Sequence, residues 1–443
     1  MDDVGIPNAQ SSQVNYSLSS SLGNRLAPSP TLLINERVRQ MWANGETVYH
    51  LGFGESRFPA HPTIVRALVE HASRQSYLPS AGIPELRQAV ASFHSRQLNR
   101  EICPDQVIVA PGSKSLLFAF QLALAGATVL HTPSWVSYEP QSRLFNRPVL
   151  RLPATPEDGH RLHPARLHHL LRHSPYGQHL LILNSPGNPT GQMLEPALLE
   201  EIAAICRREE VLVLSDEIYG LNAFGREHVS ISTFYPEGTV VLGGMSKHLS
   251  LGGWRLGTAL VPPGDRGQLL LQAVAKIGSE LWSTASAPIQ YAAVTAYSDG
   301  AELAAYVEMC TALHAARTRY LWRGLSELDI PCAEPMGGFY LFPNFDHWRQ
   351  PLASLGVRTS VDLARYLLED WQIATLPGSD FGTPARELSL RLSTSYVDLE
   401  TDEKAAKLIE MASTGVSAEK LFSDHHPGMN DVMARLKKLL SSL

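Results

Sequence analysis

One lysine of this chain stands in a setting that suits covalent chemistry. Lys247 lies among small residues within 243–257, directly after the apolar, strand-like run of 239–242. Small neighbours let a bulky group approach the backbone, and a poorly hydrated lysine loses its proton and becomes a nucleophile. Arg255 follows eight positions later, framed by Trp254 and glycines. Taken alone, the stretch is typical either of a reactive lysine or of a surface turn with a solvated lysine.

Polar side chains also follow other predicted strands. Residues 112–114 (Gly-Ser-Lys) stand between the strand of 107–110 and a helix, where backbone N–H groups at a positive helix end suit a phosphate. The planar donor fork of Arg255 suits a phosphate as well. Asp216 ends a buried-looking strand, and a carboxylate there requires a cationic partner such as a protonated ring nitrogen. The ordinary alternatives are a plain turn, a structural ion pair and a helix N-cap.

Three further side chains fit the same kind of ligand. Asn188 stands in an Asn-Pro-Thr-Gly turn and can donate to a ring oxygen, Tyr219 follows Asp216 by three residues, and Trp135 can stack on a flat ring. Turn chemistry and core packing are their ordinary interpretations. Together these groups offer a phosphate site, a partner for a ring nitrogen, a ring stacker, a phenol and a lysine nucleophile. Pyridoxal 5′-phosphate requires this set.

The segments that carry these residues have an α/β pattern. From about residue 105 to 261, short non-alternating apolar runs are separated by helical spacing, which predicts a mostly parallel sheet covered on both faces. Ligands of such sheets bind beyond the carboxyl ends of the strands, where the polar clusters fall. Beyond about residue 300, long helices with few strands predict a smaller α+β domain.

The predicted domain organisation follows from these changes of pattern. We expect a flexible N-terminal arm over 1–27, a part of the small domain over 28–55, a large cofactor-binding domain over 56–300, a small C-terminal domain over 301–415 and a helical extension over 416–443. The extension has Met433, Leu436 and Leu440 on one helix face.

Composition limits the classes of function. The 443 residues carry a net charge of −6, so nothing indicates a nucleic-acid partner. The chain has neither an apolar run of the roughly 18 residues that a membrane helix requires nor a signal-peptide pattern. The four scattered cysteines form no metal spacing and are expected to be buried free thiols. We therefore expect a cytoplasmic protein without membrane, metal or nucleic-acid partners.

Seven motifs, in order, resemble those of the class I/II aminotransferases, pyridoxal-phosphate enzymes of fold type I. The resemblance covers roughly residues 30–415 and is to the aspartate/aromatic/alanine branch. The motifs are Tyr77 with Ala-Gly-Ile-Pro-Glu-Leu-Arg (81–87), Pro-Gly-Ser-Lys (111–114), Pro-Ser-Trp-Val-Ser-Tyr (133–138), Asn-Pro-Thr-Gly (188–191), Ser-Asp-Glu-Ile-Tyr (215–219), Ser-Lys through Gly-Trp-Arg-Leu-Gly (246–257) and Leu-Arg-Leu-Ser (390–393).

The resemblance implies a role for each motif residue. Lys247 binds the cofactor covalently, Asp216 pairs with its pyridine nitrogen, Asn188 and Tyr219 hold its phenolic oxygen, and Trp135 stacks on its ring. Lys247, Asp216 and Tyr219 form the implied catalytic set. The implied phosphate ligands are Gly112, Ser113, Lys114, Ser246, Arg255 and, from the other subunit of a homodimer with shared active sites, Tyr77.

The implied substrate site contains Arg391, which clamps the α-carboxylate with its two donors, and the backbone of Gly54. Trp135 and Asn188 also face the substrate. The chain departs from the family pattern in two places. The usual Gly-Glu-Pro-Asp-Phe is here Gly-Glu-Ser-Arg-Phe (54–58), and a histidine, His248, follows the lysine.

The expected reaction moves an amino group from an L-amino acid to a 2-oxo acid by a ping-pong mechanism. Lyases, synthases, epimerases and decarboxylases share the cofactor residues and remain alternatives. A DNA-binding regulator with an aminotransferase-like domain would need a basic module that the N-terminal arm does not supply, and Lys247 and Arg391 argue against a silent scaffold. The amino donor stays open. Arg57 is a candidate for a second substrate carboxylate or a surface arginine.

Overall fold

The computed structural model describes residues 28–298 and 300–443, and the expected flexible arm lies outside this range. The helices of the described chain are α1 (Pro30–Ala43), α2 (Pro62–His71), α3 (Pro84–Leu98), α4 (Ser113–Ala123), α5 (Tyr138–Leu144), α6 (Pro164–Arg172), α7 (Pro196–Arg208), α8 (Asp265–Leu281), α9 (Ala287–Tyr297), α10 (Ala301–Glu327), α11 (Arg349–Ser354), α12 (Ser360–Trp371), α13 (Asp402–Ser413), α14 (Ala418–His425) and α15 (Pro427–Ser441). None of these helices combines the length and the apolar character needed to cross a membrane.

The strands of the same range are short. They are β1 (Tyr49–His50), β2 (Val107–Ala110), β3 (Ala127–Thr132), β4 (Val149–Pro153), β5 (His179–Asn184), β6 (Leu212–Asp216), β7 (Thr239–Gly244), β8 (Gly257–Leu260), β9 (Tyr340–Leu341), β10 (Ile373–Ala374), β11 (Leu376–Pro377) and β12 (Leu390–Ser393).

Seven strands form the central sheet in the order β2-β8-β7-β6-β5-β3-β4. The pairs among β3 to β7 are parallel, whereas β8 runs antiparallel to both β2 and β7. The predicted mostly parallel sheet is therefore confirmed. The exception at β8 matters, because it brings the amino end of this strand to the edge where the parallel strands have their carboxyl ends.

Helices bury both faces of this sheet. Leu180 and Ile182 of β5 pack with α4 and α8 side chains in one cluster, and Leu181 and Leu183 pack with α6 and α7 side chains in another. Neighbouring residues of a strand point to opposite faces, so a strand covered on both sides must be apolar throughout. This is the physical reason for the non-alternating apolar runs of the sequence.

The C-terminal part has its own core around α10, α12 and the sheet of β11, β12 and β9. The end of the chain belongs to this core, since Val432, Leu436 and Leu439 of α15 are buried in it and Met433 packs against it. The amphipathic helix expected there is present. The boundaries of the predicted domains stay a prediction.

The four cysteines are free thiols. Cys206 and Cys310 are buried, as expected, and Cys332 is partly buried. The expectation is wrong for Cys103, which is exposed because it stands in the short link before β2 rather than within a packed strand or helix.

Candidate active site

The carboxyl ends of β2, β3, β5, β6 and β7 meet at one edge of the sheet, beside a cavity of about 290 Å³. Arg255 precedes the antiparallel strand β8 and reaches the same place. Of the residues predicted from the sequence, the cavity is lined by Gly54, Ser113, Lys114, Trp135, Asn188, Asp216, Tyr219, Ser246, Lys247, Arg255 and Arg391. Gly112 stands directly beneath Arg255.

One end of the cavity is cationic. A Cβ on Gly112, whose φ is +91°, would lie 2.2 Å from Arg255 Nη2, so only glycine leaves room for the guanidinium. Arg255 Nη1 donates to the carbonyl of Gly252 at 2.8 Å. Burial and the nearby Arg255 lower the pKa of Lys114. Within the described chain neither cation has a carboxylate partner, so the N-terminus of α4 and two positive charges face a space that suits a phosphate.

Asp216 is a buried carboxylate held in a fixed orientation. Its Oδ2 accepts a hydrogen bond from Tyr138 Oη at 2.8 Å, and its Oδ1 accepts one from the backbone of Ile218 at 3.3 Å. Burial raises the pKa of Asp216 to about 6, although both hydrogen bonds act in the opposite direction. A protonated ring nitrogen is the kind of cation that stabilises such a carboxylate.

Lys247 lies partly buried in the wall of the cavity. Its Nζ donates to the carbonyl of Gly54 at 2.8 Å and lies 5.6 Å from the centre of the Tyr219 ring. Burial lowers the pKa of Lys247 to about 8, while the charge of Glu55 acts in the opposite direction. About a tenth of this amine is therefore neutral at pH 7, far more than of an exposed lysine with a pKa of about 10.4.

Arg391 is completely buried at the other end of the cavity. Its Nη2 donates to the carbonyl of Gly52 at 2.6 Å and its Nη1 to Asn188 Oδ1 at 3.4 Å. Its Nε has no hydrogen-bond partner in the described chain. The guanidinium also lies over the rings of Tyr340 and Phe381, at 4.8 and 5.2 Å. A buried cation with an unused donor suits a carboxylate ligand.

Three aromatic side chains, Trp135, Tyr219 and Tyr340, complete the wall. The hydroxyls of Tyr219 and Tyr340 lie 2.7 Å apart, and a Cβ on Gly54 would lie 2.0 Å from the Tyr340 hydroxyl. Trp135 packs edge-on against Tyr138, with 5.3 Å between ring centres. The cavity thus has an indole on one wall and two phenols near the lysine amine.

Three residues singled out in the sequence lie elsewhere. Tyr77 is 89% exposed and lies outside the cavity lining of its own chain. Arg57 Nη2 pairs with Asp402 Oδ1 at 2.7 Å, so the surface interpretation of this arginine is the one favoured. His248 lines neighbouring cavities instead of this one, and burial lowers its pKa to about 4.

Sequence reasoning missed several residues of the site. Tyr138 donates to Asp216, and the Tyr340 hydroxyl contacts that of Tyr219. Asn184 links two site residues: its Nδ2 donates to the Asp216 carbonyl and its Oδ1 accepts from the Asn188 N–H, each at 2.8 Å. The position of Asn184 at the end of β5 is the signal that could have identified it. Ser29 and Thr31, at the start of α1, also line the cavity.

Comparison with known proteins identifies the family. Residues 46–409 match the family of aminotransferases of class I and II. The aspartate aminotransferase of Geobacillus stearothermophilus is 33% identical over 386 residues, which cover 85% of this chain and 94% of that protein. The chain belongs to the class I and II aminotransferases. The aspartate aminotransferase of Bacillus subtilis is 32% identical to this aminotransferase over 402 residues, which cover 88% of this chain and 98% of that protein.

Solved aminotransferases have the same fold. The aspartate aminotransferase of Thermus thermophilus with maleate has a TM-score of 0.78 at 28% identity, covering 91% of this chain and 100% of that chain. The aspartate aminotransferase of Thermotoga maritima has a TM-score of 0.74 at 26% identity, covering 89% and 100%. The predicted fold type I and the predicted aminotransferase activity are confirmed, and the alternatives of a lyase, synthase, epimerase or DNA-binding regulator are not favoured.

Proposed function

We propose that this aminotransferase holds pyridoxal 5′-phosphate in the cavity described above and transfers the amino group of aspartate to a 2-oxo acid. One observation carries the proposal: Lys247, Asp216 and Arg391 face a single cavity whose far end is cationic. A nucleophilic amine, a buried carboxylate and a buried guanidinium with an unused donor are the three groups that this cofactor and an amino acid substrate require.

The residues fit the cofactor at each of its polar groups. Ser113, Lys114, Ser246 and Arg255 would hold the phosphate at the cationic end, and Gly112 leaves the space for Arg255. Asp216 would pair with the pyridine nitrogen, Asn188 and Tyr219 with the phenolic oxygen, Trp135 would stack on the ring, and Lys247 would bind it covalently. When bound, pyridoxal phosphate supplies an electron sink for the charge that develops at the substrate α-carbon.

Arg391, Lys247 and Asp216 have separate roles in the proposed amino transfer. Arg391 binds the substrate α-carboxylate and so orients the α-carbon toward the lysine. The neutral amine of Lys247 takes the proton from the substrate Cα as general base and would then deliver it, as general acid, to the cofactor carbon bonded to the amino nitrogen, so that Cα ends as the carbonyl carbon of a 2-oxo acid. Asp216, kept ionised by the hydrogen bonds from Tyr138 and Ile218, stabilises positive charge on the ring nitrogen. The 2-oxo acid leaves before the second substrate binds, which gives ping-pong kinetics.

An acidic donor is supported by two observations. Relatives at 33% and 32% identity are named aspartate aminotransferases, and a solved one contains maleate, a dicarboxylate. The cavity also offers donors that the cofactor does not use besides Arg391, namely the hydroxyls of Ser29 and Thr31. Thr31 Oγ1 is buried and has no hydrogen-bond partner in the described chain, so a second carboxylate would satisfy it.

We also propose a homodimer with shared active sites, located in the cytoplasm. Tyr77 is 89% exposed, and Val69 of α2 is 70% exposed. The family motif to which Tyr77 belongs implies that this residue acts across a subunit boundary, and its exposure leaves it free to do so. The phenol of Tyr77 would then reach the phosphate in the partner subunit.

The proposed cytoplasmic location is supported by the four unpaired cysteines, which suit a reducing compartment.

The proposal is tested by loading the purified protein with pyridoxal phosphate and adding single amino acids. We expect aspartate to change the visible absorbance of the cofactor, and a 2-oxo acid to reverse the change with formation of its amino acid. We expect kcat/KM for aspartate to exceed that for alanine or phenylalanine. A loaded protein whose spectrum no amino acid alters would refute amino transfer, and a preference for alanine or phenylalanine would refute the acidic donor alone.

A further inference from the structure

The loop over residues 52–58 carries two carbonyls that hold reactive side chains. The carbonyl of Gly52 accepts a hydrogen bond from Arg391 at 2.6 Å, and the carbonyl of Gly54 accepts one from Lys247 at 2.8 Å. A small displacement of this loop moves both acceptors. The loop position therefore determines where the guanidinium and the amine lie, and catalysis is sensitive to displacements of an ångström or less.

Ser56 connects this loop with two other segments. Its Oγ lies 3.0 Å from His314 Nε2 on α10 and 2.5 Å from Ser250 Oγ, and the serine is only 4% exposed. Ser250 is three residues beyond Lys247, and its N–H donates to the Lys247 carbonyl at 3.3 Å. One buried hydroxyl thus joins the loop, the long helix and the segment that carries the reactive lysine.

His314 is a wholly buried imidazole that the proposed function does not use. Its ring packs between Phe58 and Phe339, with centre distances of 4.7 and 5.0 Å, and its Nδ1 has no partner in the described chain. Burial lowers the pKa of His314 to about 3, so the ring is neutral at physiological pH. Burying an imidazole with one nitrogen unsatisfied costs free energy, and packing alone does not account for that cost.

A second contact of the loop over residues 52–58 is an ion pair at the surface, which stabilises the loop less. Arg57 pairs with Asp402 at 2.7 Å, but the Asp402 side chain is 90% exposed. Exposed ion pairs contribute only about 0–1 kcal/mol. Arg57 also donates to the carbonyls of Leu399 and Glu400, at 3.3 and 3.5 Å, which are long for hydrogen bonds. The bond between Ser56 and His314 is the fully buried restraint on the loop.

We infer that His314 is a positioning residue for amino transfer: through Ser56 it fixes the loop of residues 52–58, so that Gly54 holds the Lys247 amine and Gly52 holds the Arg391 guanidinium. His314 does not line the candidate active site and acts through the loop. The family pattern has proline where this chain has Ser56. A proline ring restricts the backbone by itself, whereas this chain restrains the loop with a side-chain hydrogen bond. The inference rests on the proposed roles of Lys247 and Arg391.

The test uses the cofactor-loaded enzyme with the variants Ser56→Ala, His314→Leu, both together, and His314→Gln, whose amide can replace the imidazole Nε2. Steady-state kinetics and hydrogen–deuterium exchange of the peptide that contains residues 52–58 are the two readouts. We expect Ser56→Ala and His314→Leu each to lower kcat about tenfold, to raise KM for the amino donor several-fold and to speed exchange in the loop. Both single variants remove the bond between Ser56 and His314, and Ser56→Ala also removes the contact with Ser250. The double variant should therefore be no worse than Ser56→Ala alone.

Two controls separate positioning from loss of a buried polar group. His314→Gln should recover most of kcat. Ser95→Ala removes a partly buried hydroxyl that donates to the Ala91 carbonyl at 2.8 Å and accepts from the Ile102 N–H at 2.9 Å, and it should leave kcat, KM and loop exchange unchanged. Ser56→Ala removes a single oxygen atom and keeps the test valid where His314→Leu does not fold.

The inference is overturned if Ser56→Ala matches the wild type in kcat, KM and exchange, or if the effects of the two single variants multiply in the double variant. The proposed function has its own criterion. A wild-type protein that neither binds pyridoxal phosphate nor turns over amino acids refutes the proposed function, whereas an active wild type with an unaltered Ser56→Ala variant refutes only the role of His314.

Discussion

The proposed reactivity of the Lys247 amine rests on its removal from water among charges of both signs. Removal from water is the largest effect and lowers its pKa to about 8. Arg391 and Arg255 lower the pKa further, and Glu55 and Asp216 raise it. The arginines stand at opposite ends of the cavity and the carboxylates stand on the loop and on β6, so no single partner fixes the amine in its protonated form.

This environment predicts the pH dependence of cofactor attachment. Only the neutral amine attacks the cofactor aldehyde, so the attachment rate should rise with pH and level off above about 8. An exposed lysine would level off only above about 10. The measurement is the absorbance change after mixing cofactor-free protein with pyridoxal phosphate at a series of pH values, with Lys247→Ala as the background. A rate that still rises steeply above about pH 10 would contradict the buried amine.

The guanidinium of Arg391 predicts a binding effect. Arg391→Ala should raise KM for the amino donor by a factor that corresponds to about 2–4 kcal/mol of lost binding free energy, as expected for the loss of a charge-assisted pair to the α-carboxylate. Arg386→Ala removes an exposed arginine of the preceding segment of the sequence and is the matched control. Michaelis constants for aspartate in the three proteins are the measurement. An Arg391→Ala enzyme with wild-type KM would rule out the clamp.

For single residues, the sequence predicts the site residues that lie at or just after the ends of strands. It does not predict the site residues that other elements contribute. Lys247, Asp216 and Asn188 follow strands, and the sheet brings such positions together. Tyr138 and Tyr340 reach the site because of the direction in which a helix and a short strand place them, and that direction depends on tertiary packing. Arg57 was ambiguous because its partner, Asp402, is 345 residues away.

At the scale of elements, the end of the chain is fastened by one carboxylate. Asp398 Oδ1 accepts from the N–H of Gly428 at 2.8 Å, and Oδ2 accepts from that of Met429 at 3.1 Å, at the start of α15. A Cβ on Gly428 would lie 2.6 Å from Asp398 Oδ1, so glycine permits the contact. Residues 398 and 428 are therefore in contact, and the segment between them, which contains α13 and α14, forms a loop closed by these hydrogen bonds.

Removal of this contact should lower the stability of the protein and leave its catalytic groups in place. Asp398→Ala removes the acceptor of two N–H groups at a helix start and should lower the free energy of unfolding by about 1–2 kcal/mol. Asp370→Ala, at an exposed carboxylate of α12, should change it little. Urea denaturation of both variants and the wild type measures the effect. Equal stabilities for Asp398→Ala and the wild type would contradict the role of this carboxylate in fastening α15.

The sequence predicts most elements because the patterns that define them are local. The helices of 84–98, 196–208 and 360–371 follow from periodicity and from a favourable residue before or at the first turn. The antiparallel direction of β8 does not follow, because an apolar run has the same composition in either direction. The docking of α15 does not follow either, since it depends on a carboxylate 30 residues earlier.

At the scale of the whole molecule, Tyr77 links the chemistry to assembly. Its side chain is 89% exposed in the single chain, and the proposed dimer places it at the phosphate of the partner subunit. If so, subunits with complementary defects form one intact site between them.

Hybrid dimers test this arrangement. Tyr77→Ala and Lys247→Ala chains carrying different tags are co-expressed, and the mixed dimer is purified through both tags. We expect about half of the wild-type activity, because one of the two sites then has both residues. A hybrid of Lys247→Ala with Tyr176→Ala, which alters a partly exposed tyrosine, should behave like a hybrid of Lys247→Ala with wild type. Activity no higher than that of the two parent variants would contradict the shared site.

The most direct measurement of the central claim is reductive trapping of the cofactor. The loaded protein is treated with borohydride, digested and mapped by mass spectrometry. The account predicts a pyridoxyl group on the peptide that contains Lys247, and no such group when aspartate has been added in excess before reduction. A group on a different lysine, or no labelled peptide at all, would contradict it.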